Sequence, residues 1–161
     1  MTPPTDRICL VIPYYEAGED LVDSLASVRL EPTDLIIVVD DGSRRCPAKD
    51  LVPEAVGDTP LRLVELARNS GITAALRAGI SNAPPDFALI ARLDCGDTCH
   101  PERFTKQRDF LLGHRDIALV GSWVDFVSPD GSFLYRLEQP ARPSAVRRRM
   151  RVNCAITHPA A

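Results

Sequence analysis

Along this chain, short runs of apolar residues alternate with segments whose apolar residues recur at helical spacing. Residues 21–30 illustrate the second kind, because Leu21, Leu25 and Val28 fall on one face of a helix. Four runs predict buried strands and three segments predict helices: the strands at 7–15, 34–43, 61–67 and 86–94, and the helices at 21–30, 70–83 and 100–114. This alternation indicates an α/β fold with a mainly parallel, Rossmann-like sheet and helices on both faces.

The last third of the chain continues with strand patterns. Residues 117–127 predict a fifth strand or two short ones, a turn signal follows at 128–131, and residues 132–140 predict the return strand. The basic run at 147–151, Arg-Arg-Arg-Met-Arg, predicts a solvated helix face. The alternative for this run is contact with an anionic membrane surface or an anionic acceptor.

Polar residues follow each of the first four predicted strands. They are Tyr14, Tyr15 and Glu16, then Asp40 and Asp41, then Arg68 and Asn69, and finally Asp94 and Asp97. In a parallel sheet the carboxyl ends of the strands meet at one edge, and ligands bind at that edge. The sequence therefore predicts one ligand site built from all four strand ends.

Composition narrows the class of ligand. The chain has 161 residues, 45% of them hydrophobic, 25% charged, with a net charge of −3, which is typical of a soluble globular domain and argues against nucleic-acid binding. No apolar run approaches the roughly 20 residues of a membrane helix, and the start shows no secretory signal. We expect a flexible N-terminus over residues 1–6 and one domain over 7–161.

The five cysteines form no regular framework and are expected to be free thiols in a reducing cytosol. Cys95, Cys99 and His100 could suggest zinc, but they lack a second paired set of ligands.

Asp94 and Asp97 lie three positions apart at the end of the fourth predicted strand. Carboxylates suit Mg²⁺ or Mn²⁺, which often bridge one or two protein acids to substrate phosphates. In the alternative interpretation Asp97 caps the following helix, while Asp94 pairs with Arg92 or Arg68.

The other strand ends also allow two interpretations each. Asp40 and Asp41 can accept hydrogen bonds from a base or ribose, or can form turns. Tyr15 can stack on a base or pack a loop, and Arg68 can meet a phosphate or form a surface ion pair. The chain has neither GxGxxG nor GxxxxGK[ST], so a Rossmann dinucleotide enzyme or a P-loop NTPase is not indicated.

Six blocks in order carry a family resemblance: VIPYYE, VVDDGS, ARNSGITAALRAGI, ARLDCGDTCHPERFTKQ, VGSWVDFV and NCAITHP. The chain resembles the family-2 glycosyltransferases of GT-A fold over about residues 7–159. The resemblance implies a nucleotide-diphosphate sugar as donor, a divalent cation (Mn²⁺ or Mg²⁺), transfer with inversion, and a sugar or lipid-linked acceptor.

Carried over by position, the resemblance implies two sets of site residues. The nucleotide-binding set is Pro13, Tyr15, Glu16, Asp40, Asp41, Arg68 and Asp94, and the metal-binding set is Asp94 and Asp97. Tyr15 resembles the base-stacking aromatic, Asp41 the acid that reads the base edge, and Asp94 the first acid of the metal-binding D-x-D motif.

This chain departs from the family pattern in two places. Gly96 stands where the metal-binding acid is usual. The family's catalytic base lies downstream of the segment resembling NCAITHP, and no acid follows Glu138, so we expect this chain to be the donor-binding portion with its base beyond Ala161. His158 is expected to be structural rather than a substitute base.

Two other functions remain open: a non-catalytic nucleotide- or partner-binding module, and, less favoured, a nucleotidyltransferase. An exposed sheet edge would allow a homodimer. A cytoplasmic location is expected, with peripheral contact at the inner face of the membrane through the basic run as an option.

Overall fold

The computed structural model describes residues 5–161, and the first four residues of the predicted flexible N-terminus lie outside that range. Residues 5 and 6 already belong to the first strand. The strands are β1 (Thr5–Tyr14), β2 (Leu35–Asp40), β3 (Ala55–Val56), β4 (Thr59–Glu65), β5 (Phe87–Arg92), β6 (Val124–Val127) and β7 (Phe133–Leu137). The helices are α1 (Asp20–Ser27), α2 (Ile72–Ser81), α3 (Arg103–Gly113) and α4 (Pro143–Arg149).

Five strands form the main sheet in the order β3-β4-β2-β1-β5. β1 runs parallel to β2 and β5, β2 runs parallel to β4, and the two-residue β3 is antiparallel to β4. The register pairs Tyr14 with Asp40 and Asp40 with Glu65, so β1, β2 and β4 end at one level. The chain crosses from β4 back to β5 on the far side of β1, which makes the β1–β5 crevice the topological switch point.

Two apolar clusters pack on opposite faces of this sheet. Leu10 and Ile36 face α1 and α3 in one cluster, while Val11 and Ile37 face α2 in the other. Both clusters follow from the alternation of side chains along a strand, since neighbours in β1 and β2 point to opposite faces. The predicted α/β fold, with a mainly parallel sheet and helices on both faces, is confirmed.

The prediction for residues 117–127 is only partly right. Residues 124–127 form β6, but residues 117–123 adopt no regular element. The backbone of Ala161 lies beside the end of β5, where it accepts a hydrogen bond from the N–H of Arg92 at 3.0 Å.

β6 and β7 pair antiparallel in a sheet of their own, so β7 is the predicted return strand. The hairpin exposes large apolar side chains, among them Phe133, Leu134 and Tyr135. α4 carries Arg147, Arg148 and Arg149 in its last turn and has no buried residue, so the arginines are exposed, as both interpretations of this basic run require. No helix in the part of the chain described here is long and apolar enough to cross a bilayer.

Candidate functional site

A cavity of about 320 Å³ opens at the carboxyl ends of β1, β2 and β5. Its lining comes from these strand ends and from the start of α2: Pro13, Tyr14, Tyr15, Ala17, Asp41, Asn69, Gly71, Ile72, Ala75, Asp94 and Cys95. Four residues of the predicted nucleotide-binding set line it, namely Pro13, Tyr15, Asp41 and Asp94. The other three, Glu16, Asp40 and Arg68, lie outside the lining.

The two tyrosines at the end of β1 have different surroundings. Tyr14 is 1% exposed, and its hydroxyl donates to the carbonyl of Cys46 at 2.5 Å and accepts from the N–H of Gly18 at 3.2 Å. Burial, followed by the contact with Cys46, raises the pKa of Tyr14 to about 12. Tyr15 is 49% exposed, so its ring is the aromatic surface that a ligand in the cavity can reach.

Asp40 and Glu16 bind the backbone of the loop that follows β2. Asp40 accepts the N–H of Ser43 at 2.8 Å and that of Ala48 at 2.7 Å. Glu16 accepts the N–H groups of Arg44, Arg45 and Cys46 at 2.8–3.2 Å. Residue 47 is proline, so these two carboxylates satisfy every backbone N–H between residues 43 and 48. The turn-forming interpretation of Asp40 is therefore the one its contacts support.

Asp41 connects β2 to the start of α2. Its carboxylate is 4% exposed and accepts the N–H groups of Ser70 and Gly71 at 2.8 and 2.7 Å. A Cβ on Gly42, whose φ is +75°, would lie 2.4 Å from the carbonyl carbon of Arg68. Only glycine allows this close approach, and it brings the ends of β2 and β4 together.

Asn69 lines the cavity next to Asp41. It was predicted only as a polar residue after the third strand, without a role of its own. Its position directly after Arg68 was the available signal, since both residues follow the same strand. The guanidinium of Arg68 itself is exposed and makes no hydrogen bond or ion pair with other described residues.

Asp94 is held by Arg92. The guanidinium contacts both carboxylate oxygens, with Nε 2.6 Å from Oδ1 and Nη2 2.8 Å from Oδ2. The two side chains are 22% and 28% exposed. The interpretation that pairs Asp94 with Arg92 is thus confirmed, whereas α3 begins after Glu102 without a side-chain cap, so the capping role of Asp97 is wrong.

The turn from Asp94 to Asp97 is anchored on α1. The N–H of Gly96 donates to Ser24 Oγ and that of Cys99 donates to Ser27 Oγ, both at 2.9 Å. Nothing in the sequence pattern of α1 indicated this role for its serines. Burial, and then the charges of Asp20, Asp94 and Asp97, raise the pKa of the Cys95 thiol to about 11, so it stays protonated at neutral pH.

The side chains available as metal ligands at this turn fit a divalent cation only in part. No group of three His, Cys, Asp or Glu side chains within residues 5–161 is arranged to hold a metal. Asp94 and Asp97 nevertheless share one turn, with the N–H of Asp97 3.0 Å from the carbonyl of Asp94. Burial, followed by the charge of Asp94, raises the pKa of Asp97. Two carboxylates are what Mg²⁺ or Mn²⁺ takes from a protein when substrate phosphates complete the coordination.

Known proteins resemble this chain in sequence and in fold. The amylovoran biosynthesis glycosyltransferase AmsE of Erwinia amylovora is 32% identical over 111 residues, which are 68% of this chain and 41% of AmsE. Residues 1–349 of S. aureus TarS, solved in complex with UDP-GlcNAc, superpose with a TM-score of 0.57 at 21% identity over 68% of this chain and 32% of that TarS fragment. The mannosyltransferase PcManGT from Pyrobaculum calidifontis, solved with GDP-Man and Mn²⁺, superposes with a TM-score of 0.53 at 19% identity over 80% of this chain and 38% of PcManGT.

The chain spans less than half the length of each of these proteins. The two structural likenesses support the GT-A fold. The profile of Glycosyl transferase family 2 matches residues 9–159, which is nearly the whole sequence. The resemblance read from the six sequence blocks is confirmed, and this chain belongs to glycosyltransferase family 2.

Proposed function

We propose that this chain binds the nucleotide-diphosphate sugar of an inverting glycosyltransferase, with the nucleotide in the cavity at the ends of β1, β2 and β5. The observation that carries the proposal is the convergence of Tyr15, Asp41 and Asp94 on that one opening. TarS has been solved with UDP-GlcNAc and PcManGT with GDP-Man, which supports a donor of the same class here.

Each residue at the opening has a chemical role in this proposal. The exposed ring of Tyr15 stacks on the base, and Pro13 shapes the wall beside it. Asp41 and the amide of Asn69 face the hydrogen-bonding edge of the base. Arg68 lies outside the lining, but its exposed guanidinium has no partner among the described residues and would contact the diphosphate. Glu16 and Asp40 act indirectly, by fixing the loop over residues 43–48.

Asp94 and Asp97 would hold the divalent cation. When bound, Mn²⁺ or Mg²⁺ supplies charge that stabilises the departing diphosphate. The protein's own contribution is to orient the two carboxylates through the serine anchors on α1.

Donor binding is the step that these residues support most directly. Both carboxylates that line the cavity are engaged, Asp41 by two backbone N–H groups and Asp94 by Arg92. Because these contacts orient both carboxylates for other roles, we assign the general base to neither of them. The same facts favour the second candidate, a module that binds a nucleotide without catalysis. The anomeric proton signal of a transfer product, measured by NMR, would distinguish inversion from retention.

The test is calorimetric titration of the chain with UDP, GDP and dTDP, each with Mn²⁺ and again with EDTA. We expect one nucleotide to bind, and Tyr15→Ala to weaken it about tenfold or more, since base stacking on an aromatic contributes roughly 1–3 kcal/mol. Tyr135→Ala is the matched control, because Tyr135 on the hairpin is 52% exposed against 49% for Tyr15. Equal affinity of the Tyr15 variant, or no nucleotide bound by folded protein, would overturn the proposal.

We also place the chain in the cytoplasm at a membrane surface, where a lipid-linked acceptor would be met. All five cysteines are free thiols, as a reducing compartment keeps them. The arginines in the last turn of α4 are exposed and match an anionic surface. Sedimentation with vesicles should show binding to anionic but not to zwitterionic lipid, and equal sedimentation with both would contradict this placement.

A further inference from the structure

The pairing of Arg92 with Asp94 has a consequence for the order in which ligands bind. Arg92 places one guanidinium nitrogen on each oxygen of the Asp94 carboxylate. The carboxylate that the proposed cation needs is therefore already neutralised by the positive charge of Arg92, the last residue of β5.

The surrounding residues offer no easy replacement for Asp94. Gly96 has no side chain, and its φ of +95° is strained for any other residue. The guanidinium of Arg103 is held by the carbonyls of Arg92 and Ala161 at 2.8 and 3.1 Å. Arg92 has no such second partner for its guanidinium among the described residues, so it is the charge that can move.

We propose that Arg92 is a built-in counter-ion. It keeps the cation away from Asp94 while no nucleotide is bound, and it releases Asp94 only when a nucleotide diphosphate binds. The inference rests on the proposed donor site and adds to it a coupling between the two ligands. A cation alone must displace or approach a guanidinium of like charge. A cation accompanied by a diphosphate brings negative charge that Arg92 can turn to instead.

The chain contains a matched ion pair for control. On the hairpin, Arg136 contacts Asp125 with the same geometry, Nε to Oδ1 at 2.6 Å and Nη2 to Oδ2 at 2.8 Å. That pair lies in the separate two-stranded sheet and has no part in the proposed donor site. Arg136→Gln therefore removes an equal contact without touching Asp94.

The experiment is an electron paramagnetic resonance titration that measures free Mn²⁺ in the absence of any nucleotide. Arg92→Gln and Arg92→Met should each bind Mn²⁺ about tenfold more tightly than the unmodified chain, within the usual range for coupled sites. Arg136→Gln should bind it as the unmodified chain does. The double variant Arg92→Gln/Asp94→Asn should lose the gain, which would assign it to the Asp94 carboxylate.

Loss of fold does not produce a tighter site, so the expected gain separates this role from a merely structural one; thermal melts verify that each variant is folded. Unchanged or weaker Mn²⁺ binding by folded Arg92 variants would overturn the inference. The nucleotide titration is independent of this result. If no nucleotide binds while the Arg92 variants gain Mn²⁺ affinity, the donor proposal and the coupling to a diphosphate both fail, and only the exclusion of the cation by Arg92 stands. If a nucleotide binds and the variants show no gain, the counter-ion role alone fails.

Discussion

Glu16 shows how a single side chain organises the rim of the site. Its carboxylate accepts three consecutive backbone N–H groups, and its own N–H donates to Ser43 Oγ at 2.9 Å. The residue does so with a φ of +50°, a left-handed conformation that non-glycine residues adopt at a cost. The hydrogen bonds that fix the loop maintain that conformation.

Stability should depend on the charge of Glu16 in the acid range. The hydrogen bonds from Arg44, then Arg45, lower its pKa below the ordinary 4.5. A lowered folded pKa means that the stabilisation is complete above pH 4.5 and is lost as the pH falls through the folded value. Unfolding in urea between pH 3 and 7 should show this loss in the unmodified chain and much less of it in Glu16→Gln.

Glu102→Gln is the control for the Glu16 experiment. The pKa of Glu102 is also lowered, by its hydrogen bond to Lys106, but this is one exposed pair on α3. Exposed pairs of this kind contribute little to stability, so the variant should keep the pH dependence of the unmodified chain. A Glu16 variant with that same dependence would show that the loop does not rely on the carboxylate.

At the scale of elements, α2 packs so closely on the sheet that one position excludes every side chain. A Cβ on Gly79 would lie 2.4 Å from Cγ1 of Val11 and 3.1 Å from Cγ2 of Val39. Valine has little rotameric freedom, and both valines are buried in the sheet, so neither can make room. The same close packing sets the distance from the sheet at which Gly71 and Ile72, at the start of α2, line the cavity.

Gly79→Ala should therefore destabilise the protein although alanine is the better helix former. Overpacking costs about 1–3 kcal/mol, and the gain in helix propensity offsets about 1 kcal/mol of it, which leaves a net loss of up to about 2 kcal/mol. Gly113→Ala at the end of α3 is the control, because nothing lies within 4 Å of its added Cβ. Denaturant unfolding measures both variants, and a Gly79 variant as stable as the Gly113 variant would refute the packing argument.

On the scale of the whole molecule, a sheet covered on both faces is joined to a hairpin that stands apart. β6 and β7 pair with each other, and in residues 5–161 neither joins the main sheet. The Trp123 indole N–H donates to the carbonyl of Gln139 at 2.9 Å and closes the base of the hairpin. Stacking of Phe126 on Tyr135 at 4.5 Å supplies its main internal packing.

Hydrogen exchange should show weaker amide protection in the hairpin than in the main sheet. Two-stranded sheets are marginally stable in water, so the amides of 124–137 should exchange through local opening, at lower free energy than those of β2. All six residues of β2 are buried, which makes that strand the internal reference for global unfolding. Hairpin amides as protected as those of β2 would show that the molecule unfolds as one unit.

The fold class and the edge of the sheet that carries the site could be predicted from the residue pattern alone. Alternation of apolar runs with helical spacing requires a parallel sheet covered on both faces, and the carboxyl ends of parallel strands necessarily meet. The strand-end pattern predicted Tyr15, Asp41 and Asp94 at this edge, the family resemblance added Pro13, and all four line the cavity. The family was likewise readable from the order of its blocks.

The contacts that each polar side chain makes at that edge could be read only from the three-dimensional structure. Hydrogen-bond partners of Glu16 lie 28–30 residues away in sequence, and Ser24 meets Gly96 over a separation of 72. A one-dimensional pattern carries no information on such meetings, because they depend on how strand ends and helix starts align in space. For the same reason an acid that looks free in the sequence can be fully engaged. Glu16 and Asp40 proved to hold a loop, and Asp94 proved to be held by Arg92.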